Sequence, residues 1–80
     1  MSDNNCLVIL FDSTHHALRG EKALKDARIR HAVINTPREF SVDCGISLRI
    51  DAALRDEASC ALDASGVAYT SIEPYRSRWI

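Results

Sequence analysis

Eighty residues leave room for one layer of helices on one sheet and for no second domain. Only five aromatics (Phe11, Phe40, Tyr69, Tyr75, Trp79) accompany an ordinary apolar content, so the core is built from Val, Ile, Leu and Ala and its stability is about 5 kcal/mol. A formal charge of −1, with acids and bases interleaved along the chain, offers no field for phosphate backbones or anionic lipid, so neither nucleic acid nor membrane is an expected partner.

Residues 1–5 are polar and read as a disordered lead-in without an export signal. Cys6-Leu-Val-Ile-Leu-Phe11 is the longest apolar run, too short to span a bilayer, and predicts a strand buried at the centre of a sheet. Asp12-Ser13-Thr14 supplies oxygens to cap a helix, and Ala17, Gly20, Leu24 and Ala27 place small or apolar residues on one helical face to about residue 28. Glycine inside a helix costs roughly 1 kcal/mol relative to alanine, which predicts a close approach of helix to sheet at Gly20.

His31–Asn35 reads as a second strand ended by Pro37, followed by a loop through Cys44-Gly45. Ile46–Ile50 alternates apolar and polar residues, a strand with one buried and one wet face, and Asp51 caps a second helix carrying Leu54, Ala58, Ala61 and Leu62 inward. Ser65-Gly66 ends that helix, and Val67–Ile72 is a last strand before Pro74. One domain over residues 6–73 with a tail over 74–80 follows.

The order βαββαβ predicts an α+β, ferredoxin-like fold: a four-stranded antiparallel sheet with both helices on one face. In that fold the ends of strand one and the start of strand three adjoin, so Phe11–His16 meets Pro37–Gly45. Cys44 then faces the first turn of helix one, whose unpaired amides favour a thiolate, with His15, His16 and Arg38 as expected neighbours. Gly45 removes a side chain next to the sulfur and permits backbone angles closed to other residues.

The alternatives are plain. Cys44 also suits a small apolar plug, Cys6 and Cys60 read as core or edge filler, Ser13 as a helix cap, and Glu21 with Arg38 as a surface pair. His15-His16 lacks a paired ligand spacing such as Cys-x-x-Cys, so no metal or other cofactor is expected. Three unpaired cysteines suit a reducing cytoplasm better than a secreted scaffold.

The run Phe11-x-Ser13-Thr14-x-His16-Ala17, then Glu21, Leu24, Thr36-Pro37-Arg38-Glu39, Cys44-Gly45 and Leu48-Arg49 resembles the selenium/sulfur (Se/S) carrier protein-like family, formerly a domain of unknown function, over about residues 7–66. Members are short, stand-alone bacterial proteins. The resemblance implies selenium or sulfur trafficking with Cys44 as the carrier atom and Ser13, Thr14, His16, Pro37, Arg38 and Gly45 around it. Phe40 and Val42-Asp43 depart from the small polar residues expected before Cys-Gly, and the charge of Asp43 opposes a thiolate.

Two functions compete on this reading. In the first, a carrier rather than a turnover enzyme, Cys44 takes sulfur or selenium as a persulfide or selenosulfide from a donor protein and hands it to an acceptor, with His16 stabilising the thiolate or shuttling its proton and Arg38 holding an anion. In the second, the domain is a non-catalytic ligand-sensing or protein-interaction module and Cys44 is structural. RNA binding is rejected, since Ile46–Ile50 lacks paired aromatics and a basic face. Outer strands of such a sheet pair between copies in many proteins, so a homodimer is one expected assembly.

Overall fold

The computed structural model describes residues 6–40 and 44–75. Strand β1 (Cys6–Leu10), helix α1 (Thr14–Asp26), β2 (Ala32–Asn35), β3 (Ile46–Asp51), helix α2 (Arg55–Ala64) and β4 (Ser71–Tyr75) follow in that order, with a short 3-10 turn, Ala52–Leu54, before α2. The sheet runs β2-β3-β1-β4 and all its pairings are antiparallel. This is the expected α+β, ferredoxin-like architecture, with β1 central. Residues 1–5, expected to be disordered, and 76–80 of the expected tail lie outside the described residues, as does Asp43.

The core lies between the helices and one sheet face. Leu7, Ile9 and Phe11 from the first strand region and Leu48 and Ile50 from β3 meet Ala17, Ala23 and Leu24 of α1 and Ala58 and Leu62 of α2. Gly20 explains how α1 comes so close. A Cβ built there would lie 2.6 Å from Cζ of Phe11 and 3.4 Å from Cδ2 of Leu62, so only glycine fits over that ring and against α2. Ala27, expected inward, is instead the exposed C-cap of α1.

Helix α1 and the 3-10 turn before α2 start on side-chain caps, and both helices end on the same motif. Ser13 Oγ accepts from the His16 amide, and Asp51 Oδ1 accepts from Ala53 N, so Asp51 caps the 3-10 turn rather than α2 itself. At the end of α2, Val67 N donates to Leu62 O and Gly66 N to Asp63 O, with Gly66 at φ +68°. The end of α1 repeats this pattern, with Ile29 N donating to Leu24 O and Arg28 N to Lys25 O, but an arginine holds the left-handed position at φ +60°. Glycine takes that conformation without a Cβ penalty of about 1 kcal/mol. Arg28→Gly is therefore expected to raise the unfolding free energy by roughly 0.5–1 kcal/mol, less the entropy that glycine adds to the unfolded chain. Urea denaturation checks it, and a lower midpoint would show that the Arg28 side chain stabilises the fold by more than its backbone strains it.

Two expectations need correction. The last strand begins at Ser71, not Val67, and runs through Pro74, because β4 is an edge strand on which a residue without an amide proton leaves no ladder bond unmade. The helix-free face is not simply wet. Val8 and Leu10 on that face are buried, and Ser47, expected to be solvated, has no exposed surface. Tyr75 pairs with Cys6 and so shares their face, and the Phe40 ring lies 6.2 Å from the Tyr75 ring, which puts Phe40 toward the side that the helices leave bare.

Folding also separates charges that alternate in the sequence. Residues 19–30, most of α1 and its exit, carry five bases and two acids, whereas residues 51–64, containing α2, carry four acids and one base. The two helices pack side by side in one layer. No helix of the described residues is long and apolar enough to cross a membrane.

Candidate functional site

Cys44 lies where the β2–β3 ladder opens into its loop. The pairing of Asn35 with Ile46 continues one step further, as Thr36 N donates to Gly45 O at 3.0 Å. Two residues before Ile46, Cys44 falls on the helix side of the sheet, and it belongs to the same core cluster as Phe11 and Ala17. The pairing of Ile9 with Leu48 puts the end of β1 beside the start of β3, as the expected strand order requires.

The thiol itself is 3% exposed, and its Sγ–H donates to the carbonyl of Ile46 at 3.0 Å. The carbonyl oxygen accepts from the thiol, so this contact turns the sulfur toward the β3 backbone and away from solvent. The carbonyl of Cys44 is pinned as well. Thr36 Oγ1 donates to it at 3.0 Å and, its proton being spent, accepts from Ser47 Oγ at 2.7 Å. That chain satisfies the buried Ser47 hydroxyl and fixes the loop entrance from the helix-free side.

The other expected site residues divide into two groups. Ser13 and His16 are bound to each other: the His16 amide donates to Ser13 Oγ, and His16 Nδ1 lies 3.1 Å from the same oxygen. Among the described residues no hydrogen bond joins the Cys44 sulfur to His16, Arg38 or any other cation. Thr14 is the exposed first residue of α1, and Pro37 opens a turn closed by Phe40 N donating to Pro37 O, with Arg38 exposed on it. Gly45 is exposed, and a Cβ added there would meet nothing within 4 Å. Its backbone is not in the left-handed region, so the expected need for angles closed to other residues does not hold; the open space is on the Gly45 side, not around the buried sulfur.

Two further assignments change. Glu21 does not pair with Arg38. Its Oε2 lies 2.8 Å from His31 Nε2, while His31 Nδ1 donates to Ile29 O, so His31 ties the exit of α1 to the helix itself. Cys60, expected as filler, is exposed on α2, and Cys6 is half-buried. Among the described residues no group of three His, Cys, Asp or Glu side chains is disposed to hold a metal ion.

Thr36 and Ser47 were not legible as site residues. Thr36 stands two residues beyond Ile34, the Cα partner of Ser47, so the strand register, had it been known, pairs them on one face.

A family model described as "Putative Se/S carrier protein-like" matches residues 6–74, from the first residue of β1 almost to the end of β4, with Cys44-Gly45 inside the match. The chain belongs to this family. The match extends the resemblance beyond residues 7–66 to take in β4, so the Se/S carrier-like unit and the four-stranded sheet coincide. No curated protein and no solved structure matches the chain.

Proposed function

We propose that this Se/S carrier-like protein is a sulfur or selenium relay in the cytoplasm, with Cys44 as the carrier atom between a donor and an acceptor protein. The observation that carries the reading is the family match over residues 6–74, which contains a Cys-Gly pair whose glycine faces open space. For loading, the Cys44 thiol exchanges with a donor persulfide. The donor's S–S bond breaks, a new bond forms between Cys44 Sγ and the outer sulfur, and the thiol proton ends on the donor's departing thiolate, with no net oxidation. Unloading is the same exchange reversed onto the acceptor.

Burial sets the first requirement. The bond from Sγ to Ile46 O has to break and the sulfur has to turn toward the Gly45 side before a donor reaches it, so loading depends on docking rather than on free diffusion of small thiols. Ser13 and His16, bound to each other, hold the start of α1 beside the loop, and Arg38, exposed on its turn, is available to a partner's carboxylate.

The test is loading by a protein or small-molecule persulfide donor in a Cys60→Ser background, since exposed Cys60 competes for reagent. Mass spectrometry is expected to show one added sulfur on Cys44, removed by a reductant and absent from Cys44→Ser. The buried thiol donating to a carbonyl favours a second reading, a non-catalytic interaction module in which Cys44 is structural. An adduct that persists in Cys44→Ser, or a Cys44 that resists every donor while the domain stays folded, decides for the module.

A further inference from the structure

We propose that the free edge of β2 is a docking strand for an extended, acidic segment of a partner protein, a surface that does not depend on what Cys44 carries. The sheet has two edges, and they differ. β4 carries Glu73 and Pro74 within the strand, a charge and a residue without an amide proton, both of which hinder a further strand from adding. β2 is Ala-Val-Ile-Asn, with neither charge nor proline, and among the described residues it pairs only with β3.

An apolar pair stands beside that edge. Leu18 is 55% exposed and Val33 49%, and they are the exposed large hydrophobics of the described residues. The Glu21–His31 bond sets their placement. Leu18 lies three residues before Glu21 on the same flank of α1, and Val33 lies two residues after His31 on the same strand face. Because α1 runs antiparallel to β2, both steps lead the same way from the Glu21–His31 bond, toward the Cys44 end, so both apolar side chains lie on that side of the bond.

Charge selects the occupant. Lys25, Arg28 and Arg30 are exposed at the β2 end of α1, while the acids of that segment are already engaged, Glu21 by His31 and Asp26 by Lys22 at 3.2 Å. Arg28 adds its charge from a left-handed position, φ +60°, at the exit of α1. Two copies joined through β2 bring these basic flanks toward each other, whereas an acidic strand complements them and places alternate apolar side chains over Leu18 and Val33.

The experiment titrates isotope-labelled protein with a blocked peptide alternating valine with glutamate, and with its valine–lysine counterpart, following backbone amide signals. The acidic peptide is expected to shift the signals of Ala32–Asn35 and to slow exchange of the β2 amides not bonded to β3. Val33→Asp and the double change Lys25→Glu/Arg30→Glu are each expected to weaken binding by at least about tenfold, as like charges meet, with the thermal transition of both variants confirming the fold. The proposal is overturned by equal binding of both peptides, by shifts centred on β4 or α2, by unchanged affinity in folded Lys25→Glu/Arg30→Glu, or by a concentration-dependent dimer that Val33→Asp abolishes.

Discussion

Phe11→Ala is expected to lower the unfolding free energy by about 3–5 kcal/mol, close to the whole stability of a domain this small. The Phe11 ring has no exposed surface and fills the space between the end of β1, the Gly20 turn of α1 and Leu62 of α2. Removing it deletes the largest of the fully buried side chains and leaves a cavity that cannot collapse without moving a helix. Urea denaturation followed by circular dichroism reads the result. A loss below roughly 1 kcal/mol would mean that α1 resettles onto the sheet and that Phe11 does not set its height.

Gly20→Val is the complementary change and is expected to cost about 1–3 kcal/mol through overpacking, even though valine is a slightly better helix former than glycine. The new Cβ would fall 2.6 Å and 2.8 Å from two ring carbons of a Phe11 that has no free space to rotate into. The decisive measurement is a double-mutant cycle with Phe11→Leu. Shortening the ring makes room for the valine, so the double variant is expected to be more stable than the summed single effects by roughly 1 kcal/mol. Strict additivity would show that the two positions do not compete for one volume.

Local signals account for what was readable from the residues alone. Strand and helix periods, the Ser13 and Asp51 caps and Gly66 past α2 each act within a few residues, and together they determine the element order and the ferredoxin-like layering. Even the tight approach at Gly20 was legible, because a helix-interior glycine has few other reasons to exist. The exceptions depend on partners distant in sequence. Ser47 alternates as a solvated residue but is buried, with its hydroxyl bound to Thr36 eleven residues away. Glu21 finds His31 rather than Arg38 because the C-terminal turn of α1 reverses the chain onto the helix. The strand order puts the end of β1 beside the start of β3, but it says nothing of a side chain's rotamer, and the rotamer sends the Cys44 thiol to the Ile46 carbonyl. Arg28 was the hardest to anticipate, since nothing in the sequence marks an arginine as the residue in a glycine's conformation.

The pairing of Cys6 with Tyr75 bears on how the chain is made. Of the four strands β1 is synthesised first, yet both its neighbours, β3 and β4, come later, and β4 is the last of the four. A nascent chain that ends within α2 therefore holds β1 with one side unpaired and with the Ser71 and Glu73 positions beside Leu10 and Val8 empty. Stepwise folding during translation has no stable halfway point in such a topology. The sheet closes in a single late event, and until then the most apolar stretch of the molecule needs either speed or a chaperone to keep it from other chains.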